Sequence, residues 1–483
     1  MSDTSKTQIL LRAAKSPFRI ATARETLSKN LIGTNSGNLI FSHAAARILS
    51  TSQAEVLPNI FNPTAEDAGE INERYDHFVI PLANAFRPDF IKHLDGMSDC
   101  IKRLNIPVTV FGVGAQAVGE GDVRELAPLN ASVKRFVAAV LDRSASIGVR
   151  GEFTATFLKS LGFSSSQIEI IGCPSMFLTD GVTKVPQRAP FLHANSHIAL
   201  NLSPHVQGVR ELAERHRRSY RHINYVAQDS RDLRMVLQRT WGAQLQDLNT
   251  APITPNDPIF APNTASFYLD PHTWIRDLKS VDVAFGTRIH GNIAALLAGR
   301  PAFVLAHDSR TLELARYFEI PYRDVSGPDG VGWISAAEIF DGADYAPMVK
   351  NHAGRLRATL AFLERNGLHH SYAPGESAAD FDATIADLML PAAVRAISRP
   401  RAAYEAVLRK IRRTKSRITR ATPLAQPLQP QAELPAVAAQ LDKGNGTHPP
   451  RIADEPLEEG YAVRKARSES GVRVPHGHDE ETV

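Results

Sequence analysis

The sequence has 483 residues and a formal net charge of +4, with 43% hydrophobic and 22% charged residues. These proportions are typical of a globular protein, and the length predicts two domains with extensions. The small net charge excludes a general nucleic-acid-binding surface. The two cysteines, Cys100 and Cys173, exclude a disulfide framework and lack metal-ligand spacing, so a reducing, cytoplasmic compartment is expected.

The start of the chain carries no targeting signal that we recognise. Residues 1–15 lack the apolar core of a signal peptide. No stretch approaches the roughly 20 apolar residues of a membrane-spanning helix. We therefore expect a soluble protein that could still bind a membrane surface peripherally.

Short apolar runs in the first part of the chain predict buried parallel strands, each followed by a helix. Continuous apolar runs that end at glycine are typical of strands covered on both faces. Strands that alternate with helices predict βαβ units. The runs are His77–Ile80, Pro107–Phe111, Ser146–Val149 and Ile168–Ile171, and helical spacing follows over Glu152–Leu161.

A second series of strands follows a proline-containing junction. Residues 179–196 contain Pro186 and Pro190 and few periodic apolar positions, which predicts a domain boundary there. We expect two Rossmann-like, doubly wound α/β domains, residues 1–185 and 186–370, that face a cleft. The second series of strands is His197–Leu202, Arg221–Val226, Val281–Phe285 and Pro301–Leu305.

The end of the chain differs in composition from both domains, and the globular pattern fades after residue 365. Residues 371–420 are expected to form a helical, basic extension, in which Arg401–Arg420 holds eight Lys or Arg residues against one acid, Glu405. Its apolar residues fall roughly on one helical face, so it could lie on an anionic membrane surface, and a solvated helix or linker is the alternative. Residues 421–483 are rich in Pro, Ala, Gln and charge, which predicts disorder.

The most informative segment for function is the turn from Gly286 to Gly291. An apolar strand ends at Gly286, and Arg288 and His290 lie where a helix begins. Open α/β sheets bind ligands at the carboxyl ends of strands, and the NH groups of a helix N-terminus favour anions. Arg288 offers a planar fork for carboxylate or phosphate, and His290 can exchange a proton near neutral pH. The alternative is that Arg288 pairs with a structural acid and His290 caps the helix.

Several segments in order resemble the polysaccharide pyruvyltransferase family. The Arg-hydrophobe-His-Gly turn before a small-residue helix is the most specific of them, and the glycine-rich segments are weak singly. The resemblance covers roughly residues 30–325. The matching segments are Phe111–Gln116, Gly148–Glu152, Ile171–Pro174, Trp274–Leu278, Asp282–Pro301 and Leu305–Arg310.

The resemblance implies two Rossmann-like domains of the glycosyltransferase GT-B type and phosphoenolpyruvate as the donor substrate. It implies that Arg288 and His290 bind the donor and take part in proton transfer, with His290 as the catalytic residue. Arg150 becomes a second anion-binding arginine from the other half, the alternative being a salt bridge to Glu152 or a neighbouring acid. Two arginines across a cleft could divide the carboxylate and the phosphate between them.

Further substrate-binding candidates surround these three residues. Gly114 and Gln116 follow a strand and could line the cleft, although a tight structural turn and a solvated Gln are the alternatives. Asp308 and Arg310 form an acid–base pair after another strand, and Arg310 could help to hold phosphate.

The chain departs from the family at two positions that usually carry an acid. Gly37-Asn38 replaces a Gly-Asp pair, and Gly172-Cys173-Pro174 replaces Gly-Asp-Pro. Asn38 can still cap a helix and remains a binding candidate. The loss of both carboxylates bears on how an acceptor would be activated.

The expected function is transfer of pyruvate from phosphoenolpyruvate to sugar hydroxyls, with ketal formation, in exopolysaccharide or cell-surface glycan biosynthesis. The expected partners are phosphoenolpyruvate and a sugar or glycan acceptor, lipid-linked or free, without nucleic acid, metal or cofactor. One alternative is a GT-B glycosyltransferase that uses a nucleotide sugar. Another is a non-catalytic relative that binds anionic glycans.

Overall fold

The computed structural model describes residues 6–397, apart from residues 60, 118, 120, 239–256 and 262. The predictions for the basic segment Arg401–Arg420 and for the tail 421–483 lie outside the described residues. No helix among the described residues is long and apolar enough to cross a membrane.

The first half of the chain forms a six-stranded sheet in which every pair of neighbours is parallel. The strand order is β2-β1-β3-β4-β5-β6. β3 and β4 are buried along their whole length, because their continuous apolar sequences are covered by helices on both faces. The strands are β1 (Thr7–Leu11), β2 (Ala54–Pro58), β3 (His77–Ile80), β4 (Val108–Val113), β5 (Ile147–Val149) and β6 (Ile168–Ile170).

The second half forms a seven-stranded sheet in the order β12-β11-β10-β7-β8-β9-β13. Its neighbours are parallel except for β13, which pairs antiparallel with β9. The strands are β7 (His197–Leu200), β8 (His222–Ala227), β9 (Ala265–Phe267), β10 (Val283–Gly286), β11 (Ala302–Ala306), β12 (Tyr322–Asp324) and β13 (Val394–Arg395).

Helices connect most of the strands, as βαβ units require. Four of them position the candidate site: α2, α6, α10 and α11. The helices are α1 (Ala23–Ser28), α2 (Gly37–Leu49), α3 (Ala68–Arg74), α4 (Ile91–Ile101), α5 (Asn130–Leu141), α6 (Glu152–Ser160), α7 (Val209–Ser219), α8 (Ser230–Gln238), α9 (Pro271–Leu278), α10 (Ile289–Leu297), α11 (Ser309–Phe318), α12 (Ala336–Gly342), α13 (Ala346–Arg365) and α14 (Ala379–Asp387).

The predicted fold class, two Rossmann-like α/β halves, is confirmed. All eight strands predicted from apolar runs are present, with ends within two residues of the prediction. The described residues belong to one compact unit, so the predicted boundary near residue 185 stays a prediction. The expectation that the globular pattern fades after residue 365 is wrong, because α14 follows and β13 extends the second sheet.

Each sheet has one pair of neighbouring strands from which the connections to the next strands lead in opposite directions along the sheet. In the first sheet this topological switch lies between β1 and β3, and in the second it lies between β7 and β10. Ligands of open α/β sheets bind in the crevice outside the carboxyl ends of the strands at such points. The fold therefore offers two crevices, one in each half.

The two halves share a hydrophobic core and meet at the loops that follow their strands. One buried cluster joins α2 of the first half to α10 of the second, through residues such as Phe41 and Ile293. The backbone NH of Ala117 donates to Ser309 Oγ at 2.9 Å, and Ser309 Oγ donates to the carbonyl of Ala115 at 3.1 Å. These contacts bring the start of α11 to the loop after β4.

Candidate active site

The turn that carries His290 lies at the switch point of the second sheet. β10 ends at Gly286, whose φ of +144° and close approach to the backbone of Asn201 leave no room for a side chain. Arg288 is the N-cap of α10, and His290 is the second residue of the helix. A Cβ on Gly37, the first residue of α2, would lie 2.8 Å from Cβ of His290. The N-termini of α2 and α10 therefore meet at His290.

Cys173 and Arg150 bring the first half to the same histidine. Nε2 of His290 lies 3.8 Å from Sγ of Cys173, and Nη2 of Arg150 lies 3.9 Å from the same sulfur. The thiol of Cys173 also donates to Ser175 Oγ at 3.2 Å. The Cys173 thiol therefore lies within 4 Å of both the arginine and the histidine.

Arg150 is buried without a carboxylate partner. Its side chain is 1% exposed, its Nε donates to the carbonyl of Gly112 at 3.1 Å, and it makes no ion pair with a described residue. Burial lowers the pKa of Arg150. The alternative of a salt bridge to Glu152 is not observed, because Glu152 points to solvent and lies 3.7 Å from Lys159 instead. A buried guanidinium of this kind is ready to receive an anion.

His290 is neutral in this environment. Burial, together with the positive charges of Arg150 and Arg310, holds its pKa well below the usual range. An anion bound among the same groups would offset the two positive charges and favour protonation of the ring. The protonation state of His290 therefore depends on which charges are bound beside it.

Arg288 is not free in this structure. Its Nη1 donates to Oδ1 of Asp229 at 3.0 Å, its Nη2 donates to Oδ2 of the same carboxylate, and its Nε donates to the carbonyl of Leu202 at 3.2 Å. Burial would lower the pKa of Arg288, but Asp229 and the neighbouring Asp232 outweigh it and raise the pKa. The structural ion pair considered for Arg288 is thus present, and its partner is Asp229.

The start of α11 supplies the Asp308–Arg310 pair. Asp308 caps the helix, and its Oδ1 accepts from the backbone NH of Thr311 at 2.8 Å. Burial favours its neutral form, but Arg310 and His307 outweigh it and lower the pKa of Asp308 to about 2. Nη2 of Arg310 lies 3.2 Å from Asp308 Oδ2, and Nε of Arg310 is buried without a hydrogen-bond partner. Arg310 therefore keeps a donor for a further acceptor.

The remaining predicted residues have local structural contacts. The side chain of Arg150 passes against Gly114, where a Cβ would lie 2.9 Å from Cδ of the arginine. The Gln116 amide lies 2.5 Å from that of Asn84. The Asn38 amide donates to the carbonyls of Ile32 and Gly33 at 3.0 and 3.1 Å, which a carboxylate could not do.

Several polar groups near the site were not expected from the sequence. Glu313 of α11 is 5% exposed and accepts from the backbone NH of Thr154 in α6 at 3.1 Å, which ties the halves together. Burial raises the pKa of Glu313 to about 8. Three buried polar atoms have no partner, and they belong to residues next to the starts of α2 and α10: Ser36 Oγ, Asn201 Oδ1 and Gln228 Nε2. No motif marks these residues, because they come from four separate parts of the chain.

The described residues contain no group of three or more His, Cys, Asp or Glu side chains that could hold a metal ion. The donors around His290 are guanidinium, imidazole, amide and hydroxyl groups, which suit an anionic organic substrate.

The fold and the site together define an α/β protein with one parallel and one mostly parallel sheet, in which two helix starts meet at a histidine with arginines nearby. The family model of polysaccharide pyruvyl transferase matches residues 35–309, more than half of the chain, and the chain belongs to this family. Membership confirms the family resemblance seen in the sequence and makes the protein a transferase of polysaccharide biosynthesis.

Several solved structures have a low overall similarity to this chain. One is an uncharacterized protein from Klebsiella pneumoniae subsp. pneumoniae, with 11% identity, TM-score 0.35, and coverage of 66% of this chain and 93% of the other. Another is a putative UDP-N-acetylglucosamine 2-epimerase from Listeria monocytogenes, with 11% identity, TM-score 0.37, and coverage of 78% and 95%. A third is S. aureus MnaA with UDP, with 10% identity, TM-score 0.36, and coverage of 80% and 99%. No curated protein sequence matches this chain.

Proposed function

We propose that this protein transfers pyruvate from phosphoenolpyruvate to two hydroxyls of a sugar and closes a cyclic ketal. The observation that carries the proposal is His290, which lies at a helix start where Arg150 and Arg310 are close enough to lower its pKa, in a chain of the pyruvyl transferase family. Phosphoenolpyruvate carries a carboxylate and a phosphate, which two cationic groups can bind, and its methylene carbon must receive a proton. Arg150 and Arg310 supply the two cationic groups, and His290 supplies the proton.

Arg150 and Arg310 are the best supported anion ligands. Both lie close enough to His290 to lower its pKa, and neither guanidinium is fully paired with a carboxylate. Arg288 has Asp229 as a bidentate partner, so a substrate would have to compete with that carboxylate. In this scheme Arg288 holds the turn before α10 in shape, and it binds the donor only when Asp229 releases it.

His290 acts as the general acid. Burial and the two arginines favour the neutral ring, and the negative charges of bound phosphoenolpyruvate raise the pKa of His290 so that it takes up a proton. The protonated ring then gives this proton to the methylene carbon of the donor. The methylene becomes a methyl group, and C2 becomes electron-poor.

Ketal formation completes the reaction in two additions. The oxygen of one sugar hydroxyl bonds to C2 and gives its proton to His290, which is neutral again after protonating the methylene. The oxygen of the second hydroxyl then bonds to C2 and gives its proton to the departing phosphate, while the bond from C2 to the phosphate oxygen breaks and phosphate leaves with the electron pair. Because the two hydroxyls belong to one sugar ring, the second step is intramolecular and gains from proximity. Arg150 and Arg310 stabilise the phosphate as its charge grows.

The first test is binding of phosphoenolpyruvate, measured by thermal shift on the full chain. Ligand at a hundred times its dissociation constant adds about 2.7 kcal/mol to the stability of the folded protein. We expect this stabilisation in the parent protein and its loss in Arg150→Met. Arg74→Met is the matched control, because Arg74 lies on the exposed surface and pairs with Glu70. Stabilisation by UDP, GDP or CMP without any by phosphoenolpyruvate would instead assign a nucleotide-sugar glycosyltransferase.

The second test is turnover, followed as phosphate released from phosphoenolpyruvate in the presence of glycan acceptors. His290→Ala should lose at least about 100-fold in kcat, the usual contribution of a general acid. His197→Ala is the matched control, because His197 is exposed at the start of β7 and stacks only on His222. Near-normal turnover of His290→Ala would remove the histidine from the mechanism. Binding of phosphoenolpyruvate without release of its phosphate, whichever acceptor is present, would favour a non-catalytic relative.

A further inference from the structure

Arg12 is a buried cation that the proposed reaction does not use. It follows β1 directly and is 7% exposed. Its Nη1 donates to the carbonyl of Pro81 at 3.3 Å and its Nη2 donates to Oδ1 of Asn62 at 3.3 Å, whereas its Nε has no hydrogen-bond partner among the residues that the structure describes. The guanidinium is therefore incompletely paired.

No negative charge compensates Arg12. It makes no ion pair with any residue that the structure describes, and burial alone lowers its pKa to about 9. A buried ion without a partner is costly for a folded protein, and proteins retain such ions where a ligand completes them. An oxyanion beside Nε would supply the missing charge and accept the free donor.

Two aromatic rings pack on this guanidinium, and a second arginine packs on one of them. Cζ of Arg12 lies 4.2 Å from the ring centre of Phe61 and 5.9 Å from that of Phe90. Cζ of Arg87 lies 5.4 Å from the same Phe90 ring. Both aromatic side chains are only partly buried, so they leave an approach for a ligand. Apolar ring faces beside cationic donors suit the alternating CH faces and charged groups of an anionic sugar.

Arg12 also occupies the second of the two crevices in the fold. It lies at the carboxyl end of β1 and bonds to Pro81 just after β3, so it sits at the switch point of the first sheet. The candidate donor site occupies the switch point of the second sheet. The crevice of the first sheet, where Arg12 lies, is therefore available for the acceptor.

A short segment connects the two crevices. Gly37 packs against His290, and Gly33 packs against Phe61, which covers Arg12. Four residues of chain span at most about 14 Å. A glycan of a few sugar units could therefore reach from Arg12 to the reacting carbon of a donor at His290.

We propose that Arg12, between Phe61 and Phe90, binds an oxyanion of the acceptor, so that the acceptor is an anionic glycan. This inference rests on the proposed function, since it takes the site at His290 as the donor site. The anion is a phosphate or a carboxylate carried by the glycan.

The test measures binding of three probes to the full-length protein by calorimetry: phosphoenolpyruvate, inorganic pyrophosphate and glucuronic acid. The last two are titrated with phosphoenolpyruvate saturating, so that the donor site is filled. We expect one of them to bind the parent protein. In Arg12→Met its dissociation constant should rise about 10- to 100-fold, the value of a charge-assisted contact. Binding of pyrophosphate identifies a phosphate group on the acceptor, and binding of glucuronic acid identifies a carboxylate.

Two further variants keep the result interpretable. Arg74→Met, on the exposed surface of the same half, should leave all three affinities unchanged. If Arg12→Met does not fold, Arg12→Lys keeps the charge but loses the planar fork, and it should bind the same probe about tenfold more weakly.

Three results would overturn the proposal: no binding of either acceptor probe to the parent protein, equal binding by the parent and Arg12→Met, or an equal loss of phosphoenolpyruvate binding in that variant. Failure of the parent protein to bind phosphoenolpyruvate would instead contradict the proposed function. The probes are then titrated without it, and the Arg12 comparison still decides whether the anion subsite exists.

Discussion

Replacing Glu313 by Gln should remove a pH dependence from the stability of this protein. Glu313 reaches from α11 of the second half to the start of α6 in the first, where the backbone NH and the hydroxyl of Thr154 donate to its carboxyl group. Burial raises the pKa of Glu313 from 4.5 to about 8, despite these hydrogen bonds and the nearby Arg150. The group is therefore protonated in the folded protein at neutral pH.

The size and sign of the effect follow from the two pKa values. The folded state keeps a proton that the unfolded chain releases above pH 4.5, so the unfolding free energy falls as pH rises. This contribution is fully present below about pH 4.5 and is lost as pH rises through about 8. At about 1.36 kcal/mol per pH unit the full interval corresponds to about 5 kcal/mol. Gln is neutral throughout, accepts from the same NH and carries no such dependence.

The assay compares thermal unfolding of the parent protein and Glu313→Gln at about pH 5, 6, 7, 8 and 9, a range that spans the folded-state pKa. Subtracting the variant's values from those of the parent cancels every other titrating group, which both proteins share. The parent should lose about 5 °C more than the variant between the two ends of this range. The matched control is Glu338→Gln, because Glu338 lies on the surface and pairs with Arg323. Parallel curves for parent and Glu313→Gln would refute the assignment of a protonated, buried Glu313.

Three further substitutions test the contacts around the candidate site. Asp229→Asn leaves the partly buried Arg288 without its carboxylate and should lower the unfolding free energy by about 1 to 3 kcal/mol, measured by denaturant unfolding. An unchanged midpoint would mean that the pair is not formed in solution. Cys173→Asp puts a carboxylate beside His290, so the pKa of the histidine and the alkaline limit of the kcat/KM profile should rise, whereas Cys173→Ser should leave the profile in place. Asn38→Asp replaces an amide donor by an acceptor that faces two loop carbonyls, so the unfolding free energy should fall by about 1 to 3 kcal/mol. Equal melting temperatures of the variant and the parent protein would contradict this.

The sequence determined the strands that lie inside the sheets, because burial on both faces requires continuous apolar runs. His77–Ile80 is the clearest case, with identical bounds in prediction and structure. The apolar pattern of the sequence did not predict the edge strands β12 and β13. β12 is exposed at all three residues and β13 has only two residues, so neither carries the apolar run of a buried strand. Pairing with a neighbour, not composition, makes them strands.

The sequence also determined where His290 would lie, since a strand, a glycine and a helix start leave little freedom in the turn. Only the tertiary structure decided what surrounds it. Asp229 is 59 residues from Arg288 and Cys173 is 117 residues from His290, and no local pattern records either contact. Hydrophobic periodicity is a local property, whereas ion pairs and pKa values depend on which distant segments fold to the same point. The sequence therefore determines the elements of this protein, and the packing of its two halves determines the chemistry of the site.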